Sequence, residues 1–524
     1  MKKSCILFSL AACLAAAVPP AFSALETSAI ISSNMVLQRG CEAPIWGWDT
    51  PGTSVTVTFR DSKKTAAAGS DGQWMVRIPT GAAGGPFVLR IKGTSEVELQ
   101  NVLVGEVWVA GGQSNMWWHL SGCLNAEAEV RDSNYPIRIW DANTAANQGG
   151  WRAETPQKTV KAEWKISAPE VAGNFPGVPF FFARELQKKL GVPVGIVHVG
   201  VPGAEIELFL SGDLLKANMP QTVEMWERRR RLYEEDKAKL EVAMKDWQAR
   251  ADEAKKSQQT EPEKPPGLPD PANAPTPENF FNGMLLPAAP FAARGFLWWQ
   301  GEANASNWMQ YRVLFPALIE EWRELWGMNN APFIFCELHG WLNLQKKPVE
   351  EDGWPNLRDA QRAALALPGT FEVSTLDILT PKESLFTIHP ANKQQAAHRL
   401  FLAAMANVYG ENETVWSGPV LKSASFANGA ATVTFDHVGG GLAARDGAEL
   451  KGFALAGLDH KWYWADAKIT GKTIKLKSKE VPQPVAARYA WANNPTGNLI
   501  SKAGLPAFPF RTDSWILGKH GKAE

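Results

Sequence analysis

Two short apolar stretches, each running without polar alternation straight into a glycine turn, constrain the fold more than any other feature of the chain. Val107-Trp108-Val109-Ala110 leads into Gly111-Gly112-Gln113-Ser114, and Phe296-Leu297-Trp298-Trp299 leads into Gln300-Gly301. A strand with one solvated face alternates polar with apolar side chains. A strand covered on both faces does not, and such strands belong to parallel sheets layered between helices. Val194-Gly195-Ile196-Val197-His198-Val199 and Pro332-Phe333-Ile334-Phe335 have the same character. A helical pattern over residues 178–190, stopped by Gly191, precedes the first of these. Buried strands alternating with helices predict an α/β domain with a mostly parallel sheet.

The flanking segments read differently. Residues 25–104 hold Met35-Val36-Leu37-Gln38, Pro44-Ile45-Trp46-Gly47-Trp48, the alternating Ser54-Val55-Thr56-Val57-Thr58-Phe59 and Trp74-Met75-Val76-Arg77-Ile78, with turns at Pro51-Gly52 and Asp71-Gly72. This spacing predicts a small antiparallel β-sandwich. Beyond Gly410, strand-like runs return at 432–435, 453–456, 462–464 and 474–476. Residues 220–277 interrupt the α/β domain. There Trp226, Tyr233, Leu240 and Trp247 recur every seven residues in a highly charged stretch, the pattern of a long helix with one apolar stripe. A Pro-rich, extended return follows over 262–277. The excursion is expected to pack on the side of the domain, with a lid or an oligomer contact as the alternative. The chain thus divides into a leader at 1–23, an N-terminal β-sandwich at 24–104, the α/β domain at 105–410 with the 220–277 insertion, and a C-terminal β-rich region at 411–524.

Lys2 and Lys3, the apolar run 6–18 and Ala21-Phe22-Ser23 form a basic, an apolar and a small-residue region in the order of a secretory signal peptide. The mature protein is therefore expected in the periplasm or outside the cell. Leu10-Ala11-Ala12-Cys13 also resembles a lipoprotein box, so anchoring at Cys13 is the alternative. No later stretch reaches the roughly 18 apolar residues that span a bilayer. Without the leader, Cys41, Cys123 and Cys336 remain, odd in number and far apart, which suits small buried hydrophobes better than a disulfide framework or a zinc site. The chain carries 54 Lys and Arg against 54 Asp and Glu, and this balance lacks the basic surplus of a nucleic-acid-binding protein. Trp is the compositional outlier, at 23 residues against 6 Tyr; indoles stack on sugar faces and also fill cores.

The chemistry concentrates at the ends of the buried strands. Ser114 follows a strand within a glycine turn, above the sheet edge where open α/β sheets bind ligands. A serine so placed serves as a nucleophile when a base reaches it. His389, in Thr387-Ile388-His389-Pro390, is the candidate base. His339 and His398 lie in the same part of the chain; His398 falls in a helical stretch and reads as structural, and His198 as a satisfied interior histidine. In Trp298-Trp299-Gln300-Gly301-Glu302-Ala303-Asn304, Asn304 can donate an amide N–H to a developing oxyanion. Glu302 beside it is a carboxylate that can also act as a structural acceptor. No His, Cys and carboxylate cluster shows metal-ligand spacing, and no cofactor is expected.

These blocks carry a resemblance. GQSNM at 112–116, WWQGEAN at 298–304 and IHPANKQ at 388–394 resemble the serine, asparagine and histidine blocks of SGNH hydrolases, and within that superfamily the sialate O-acetylesterase family. MVLQR at 35–39, PIWGW at 44–48, FNGML at 281–285 and Leu357-Arg358-Asp359-Ala360-Gln361 are similar to the same family. The resemblance covers about residues 27 to 410 of the chain. It implies a flavodoxin-like three-layer α/β hydrolase domain with flanking β-sandwich regions, and metal-independent removal of O-acetyl groups from sugars. It makes Ser114 the nucleophile and His389 the general base. Ser114, Gly203 and Asn304 would supply the oxyanion hole, and Gln113, Gln300, Glu302 and Arg358 are candidates to hold the substrate.

Two departures from the family pattern matter. Pro202-Gly203-Ala204 stands where the family has Gly-Gly-Thr, and Pro202 has no N–H to donate. Thr387 stands where the family often has an acid, two residues before the histidine. The group that orients His389 is therefore open between a backbone carbonyl, which would make a dyad, Asp377 at the end of a strand, Glu383 in the intervening loop, and the Thr387 hydroxyl. O-acetylated sialic acids are the favoured substrates, with acetylated plant polysaccharide next. A glycosidase using Glu302, or a non-catalytic glycan-binding protein, are the rival readings.

Overall fold

The structure, a computed structural model, describes residues 25–143, 153–257, 262–265, 277–351, 353–380, 383–447 and 449–517. The leader read over residues 1–23, Cys13 included, and most of the Pro-rich return lie outside them.

Five parallel strands form the central sheet in the spatial order Val194–Gly200, Glu96–Gly112, Gly295–Trp299, Phe333–Cys336, Thr370–Val373. Numbered in chain order with the edge strand Ile137–Asp141 left out, that is 2-1-3-4-5, the flavodoxin-like winding. Ile137–Asp141 extends the sheet in parallel beyond Val194–Gly200, and Trp164–Ile166 closes that edge antiparallel. Successive side chains of each strand enter opposite layers, which is why the runs do not alternate in polarity. Trp108, Ala110, Leu297 and Trp299 pack beneath the helices Gly177–Leu190 and Lys393–Asn407. Val107, Val109, Phe296 and Trp298 pack beneath Trp308–Leu325, where the Trp298 and Trp322 rings meet edge to face at 5.4 Å. Trp74, Trp108, Trp140, Trp298, Trp299, Trp322 and Trp491 are fully buried, so much of the tryptophan surplus fills cores.

The N-terminal strands form two antiparallel layers. One holds Glu26–Thr27, Glu42–Trp48 and Gln73–Pro79; the other holds Ser54–Phe59, Ser62–Ala67, Gly84–Lys92 and the start of Glu96–Gly112. No linker separates this sandwich from the α/β domain. The boundary read at 104/105 falls inside a single 17-residue strand that alternates over its first half and is wholly buried over its second. Glu106, at that junction, accepts hydrogen bonds from Arg39 (2.5 Å), Arg294 (3.0 Å) and the Tyr409 hydroxyl (2.9 Å), which hold its carboxylate below the ordinary range despite burial.

The insertion is a 37-residue helix, Pro220–Lys256, whose Trp247 indole donates to the Pro262 carbonyl at 2.9 Å. Two four-stranded antiparallel sheets and a two-stranded one, Leu442–Ala444 with Leu499–Ser501, make the described C-terminal region, packed through Val433, Phe435, Ile474 and Leu476 against Phe453, Leu455 and Tyr489. Cys41, Cys123 and Cys336 are free thiols, the last two buried. Among the described residues, no helix is long and apolar enough to cross a membrane.

Candidate active site

Ser114 opens a one-turn helix, Ser114–Trp117, directly after the Glu96–Gly112 strand. The strand can end this way only with glycine at 112, where φ is +136° and a Cβ would lie 2.1 Å from the Trp299 carbonyl oxygen. That close approach brings the serine turn against the loop leaving the neighbouring strand. Gln113 N–H donates to the Trp299 carbonyl at 3.0 Å, and Gln113 Oε1 accepts from Gly301 N and Ala303 N at 3.3 and 3.2 Å. The two loops leave the first and third strands of the winding, where the strand order reverses and a crevice forms.

Asn115, which the residue reading passed over, gathers the site. Its Nδ2 donates to Glu302 Oε1 at 2.6 Å and to the Ile388 carbonyl at 3.0 Å, while its Oδ1 accepts from Lys393 Nζ at 2.5 Å. One amide thereby ties the serine helix, the Glu302 loop and the segment carrying His389. Lys393 is fully buried, with its ammonium 4.8 Å above the Trp299 ring. Burial pushes its pKa down to about 8, which the nearby Cys123 and Glu302 groups counter only in part. Burial also raises the Glu302 carboxyl, only partly offset by hydrogen bonds, and its Oε2 has no hydrogen-bond partner. Both residues lie inside blocks that the sequence makes prominent, but Asn115 reaches them across 187 and 278 positions.

His389 is half-buried, and its imidazole lies on the Trp118 indole, ring centres 4.5 Å apart and 24° from parallel. Trp118 is itself fixed by donating to the Gly122 carbonyl at 2.9 Å. Burial first, and the Lys393 charge second, hold the imidazole below its ordinary range. Among the described residues no carboxylate bonds to this ring. Asp377 does not reach it: its two oxygens are held by Arg399 at 2.6 Å and Arg445 at 2.5 Å. Glu383 acts on the backbone, accepting from Thr380 N at 2.7 Å and Ala391 N at 2.6 Å, so it shapes the loop around His389. The Thr387 hydroxyl likewise meets the His389 main chain, accepting its N–H at 3.3 Å. His339 is fully buried nearby, and burial with the Lys393 and Arg358 charges pushes it well below the usual histidine value. His398 pairs with Glu185 at 2.7 Å. His198 is not the satisfied residue expected: Nδ1 pairs with Asp141 at 2.8 Å, but Nε2 has no hydrogen bond.

Asn304 is buried. Its Oδ1 accepts from Ile206 N (2.9 Å) and Gln300 Nε2 (2.7 Å), and its Nδ2 donates to Glu207 Oε2 (2.9 Å), which leaves one amide proton. Gly203 sits in the turn between Val201 and Ala204 with φ +70°, and Gln300 Nε2 ties that turn through the Ala204 carbonyl at 3.0 Å.

Three of the expected substrate contacts belong to the scaffold. Gln113 is spent on the Gly301–Ala303 backbone, and Gln300 is fully buried under Asn304 and Ala204. Arg358 is 1% exposed and donates to the Leu338, His339, Ala492 and Asn493 carbonyls. Glu302 lines a cleft of about 440 Å³ that also touches Trp341, Trp354, Ile388 and Asn493. The contact to 492 and 493 is a surprise of the fold: a loop of the C-terminal region reaches the crevice. Among the described residues no group of three or more His, Cys, Asp or Glu side chains is gathered as a metal ion would need.

No family model matches the sequence. A solved carbohydrate acetylesterase from Xanthomonas citri is 34% identical, with a TM-score of 0.76, and the match covers 94% of this chain and 100% of that one. The sialate O-acetylesterase of Mus musculus is 29% identical over 446 residues, 78% of each chain, and that of Rattus norvegicus is 28% identical over 527 residues, 92% of this chain and 93% of the relative. The extent of this likeness establishes that the chain belongs to the family of these carbohydrate and sialate O-acetylesterases and is a carboxylic ester hydrolase.

Proposed function

We propose that the protein is an exported carbohydrate O-acetylesterase working through an acetyl-enzyme. The observation that carries this reading is the Asn115 amide, which holds the Ser114 helix and the His389 segment together at the reversal of strand order. Ser114 Oγ attacks the acetyl carbonyl and His389 takes its proton. The oxyanion is met by Ser114 N–H, Gly203 N–H and the remaining Asn304 amide proton. His389 then protonates the departing sugar hydroxyl, and water, activated by the same imidazole, releases acetate from Ser114. Ser114 Oγ and the imidazole make no hydrogen bond in the free protein; such contacts commonly close around bound substrate. Trp118 and the Glu383-braced loop hold the ring where a carboxylate would otherwise do so, giving a dyad. The enzymes it resembles act on acetylated carbohydrate and on sialic-acid acetates, and these are the two substrate classes considered. Export to the periplasm or beyond is supported by the charged, apolar and small-residue order of residues 2–23.

The test is acetate release from an O-acetylated sugar by the wild type and by Ser114→Ala. The variant should fold, since Ser114 Oγ holds no structural hydrogen bond, and should release none. An active alanine variant rules the mechanism out.

A further inference from the structure

A cleft lies beside Glu302. It holds about 440 Å³, within the roughly 300–1,000 Å³ range of small-molecule sites. It is joined to the serine turn and the histidine segment through its wall: Glu302 Oε1 and the Ile388 carbonyl both accept from Asn115, the residue after Ser114, and Ile388 precedes His389. Two indoles form another wall. Trp354 is buried and donates to the His339 carbonyl at 2.8 Å. Trp341 leans on it, ring centres 4.7 Å apart, and donates to the Phe386 carbonyl at 3.1 Å, so a half-exposed indole is held in place. Glu302 Oε2 is buried and, among the described residues, has no hydrogen-bond partner, an acceptor left unsatisfied on a residue of the cleft wall. Among the described residues lining the cleft none is cationic. Two buried cations of the site are committed elsewhere, Lys393 to Asn115 and Arg358 to four backbone carbonyls.

We propose that this cleft is the sugar subsite, that Trp341 is the platform on which the ring of an uncharged O-acetylated sugar stacks, and that Glu302 Oε2 pairs with a ring hydroxyl. The proposal rests on the esterase reading and selects within it. The carboxylate of a sialic acid would enter beside the Glu302 carboxyl with no cation to meet it, and an unpaired charge removed from water is costly. A neutral sugar offers hydroxyls to Glu302 and a C–H face to the indole. Trp341 follows the fourth sheet strand, and Asn493 belongs to the C-terminal region, so the subsite exists only once that region has docked.

The experiment compares an O-acetylated methyl xyloside, 9-O-acetyl-N-acetylneuraminic acid and p-nitrophenyl acetate as substrates for the wild type, Trp341→Ala and Trp341→Phe. It also measures binding of the acetylated xyloside to Ser114→Ala with and without Trp341→Ala, by calorimetry. The wild type should favour the xyloside over the sialate in kcat/KM. Trp341→Ala should cost the xyloside about ten- to a hundredfold, the scale of a lost hydrophobic pocket contact, chiefly in KM, and leave p-nitrophenyl acetate within about threefold. Trp341→Phe should recover most of the loss. Sialate preferred by the wild type, or equal losses on all three substrates, overturns the subsite. If no ester is cleaved but binding of the xyloside depends on Trp341, the subsite stands and the esterase reading falls. If esters are cleaved while binding and KM ignore position 341, the reverse holds.

Discussion

Lys393 Nζ lies 2.5 Å from Asn115 Oδ1, and through that amide a fully buried cation is joined to the helix of the proposed nucleophile. Among the described residues no carboxylate bonds directly to this ammonium; Glu302 binds the other end of the same amide. The cation therefore acts at a distance, and part of its field falls on His389.

The first prediction follows from that field. With burial and the Lys393 charge both holding the His389 imidazole below its ordinary value, the base stays neutral into mildly acidic solution. Lys393→Met removes the cation, so His389 protonates more readily. The acid limb of the kcat/KM profile should move to higher pH, measured on p-nitrophenyl acetate between pH 4 and 8. An acid limb that stays in place or moves down shows that Lys393 does not act on His389.

Asn304 joins catalysis to structure. Asn304→Ala should lower kcat by about 10²–10³-fold, the usual loss for one preorganised oxyanion donor, with KM little changed. It should also lower the melting temperature, because Ile206 N, Gln300 Nε2 and the buried Glu207 carboxyl lose their partners, and each unsatisfied buried group costs about 1–3 kcal/mol. Steady-state kinetics and thermal unfolding of the same preparation check both halves.

The two carboxylates near the histidine loop should behave oppositely. Asp377→Asn breaks contacts to Arg399 and Arg445, so stability falls while activity stays within about tenfold, far from the ~10⁴-fold loss of an orienting aspartate. Glu383→Gln keeps an acceptor for only one of Thr380 N and Ala391 N, so it should loosen the loop and reduce kcat modestly. A loss of three or more orders of magnitude in either folded variant would identify a third triad member and end the dyad reading.

Trp118 is the ring stacked on His389, to which, among the described residues, no carboxylate bonds. Face-to-face ring contacts of this kind are worth about 0.5–1.5 kcal/mol beyond burial, or roughly two- to tenfold in rate if the contact is needed in the transition state. Trp118→Ala should lose about that much in kcat, and Trp118→Phe should restore most of it. Equal kcat in wild type and alanine variant would leave the stacking without a part in catalysis.

The local elements were readable from residue order because they depend on near neighbours. Unalternating runs such as Val107–Ala110 and Phe296–Trp299 have no solvated face to offer, so they become buried strands of a parallel sheet. The strand-like runs at 432–435, 453–456, 462–464 and 474–476 fall in four C-terminal strands. Ser114, Asn304 and His389 stood out because each closes an apolar run or a fixed loop in a recognisable block. What polar side chains bond to was not readable, since a hydrogen bond depends on through-space position and not on spacing. Gln113, Gln300 and Arg358 look like ligands for a substrate in one dimension, and in three they are consumed by backbone carbonyls and N–H groups. Asp377 looks like a triad acid until Arg399 and Arg445 close on it. The joining of Ser114, Glu302, Ile388 and Lys393 by Asn115, and the arrival of Asn493 beside Trp341, were decided only when segments hundreds of residues apart packed, because one buried amide must satisfy its donors and acceptor wherever the fold presents them.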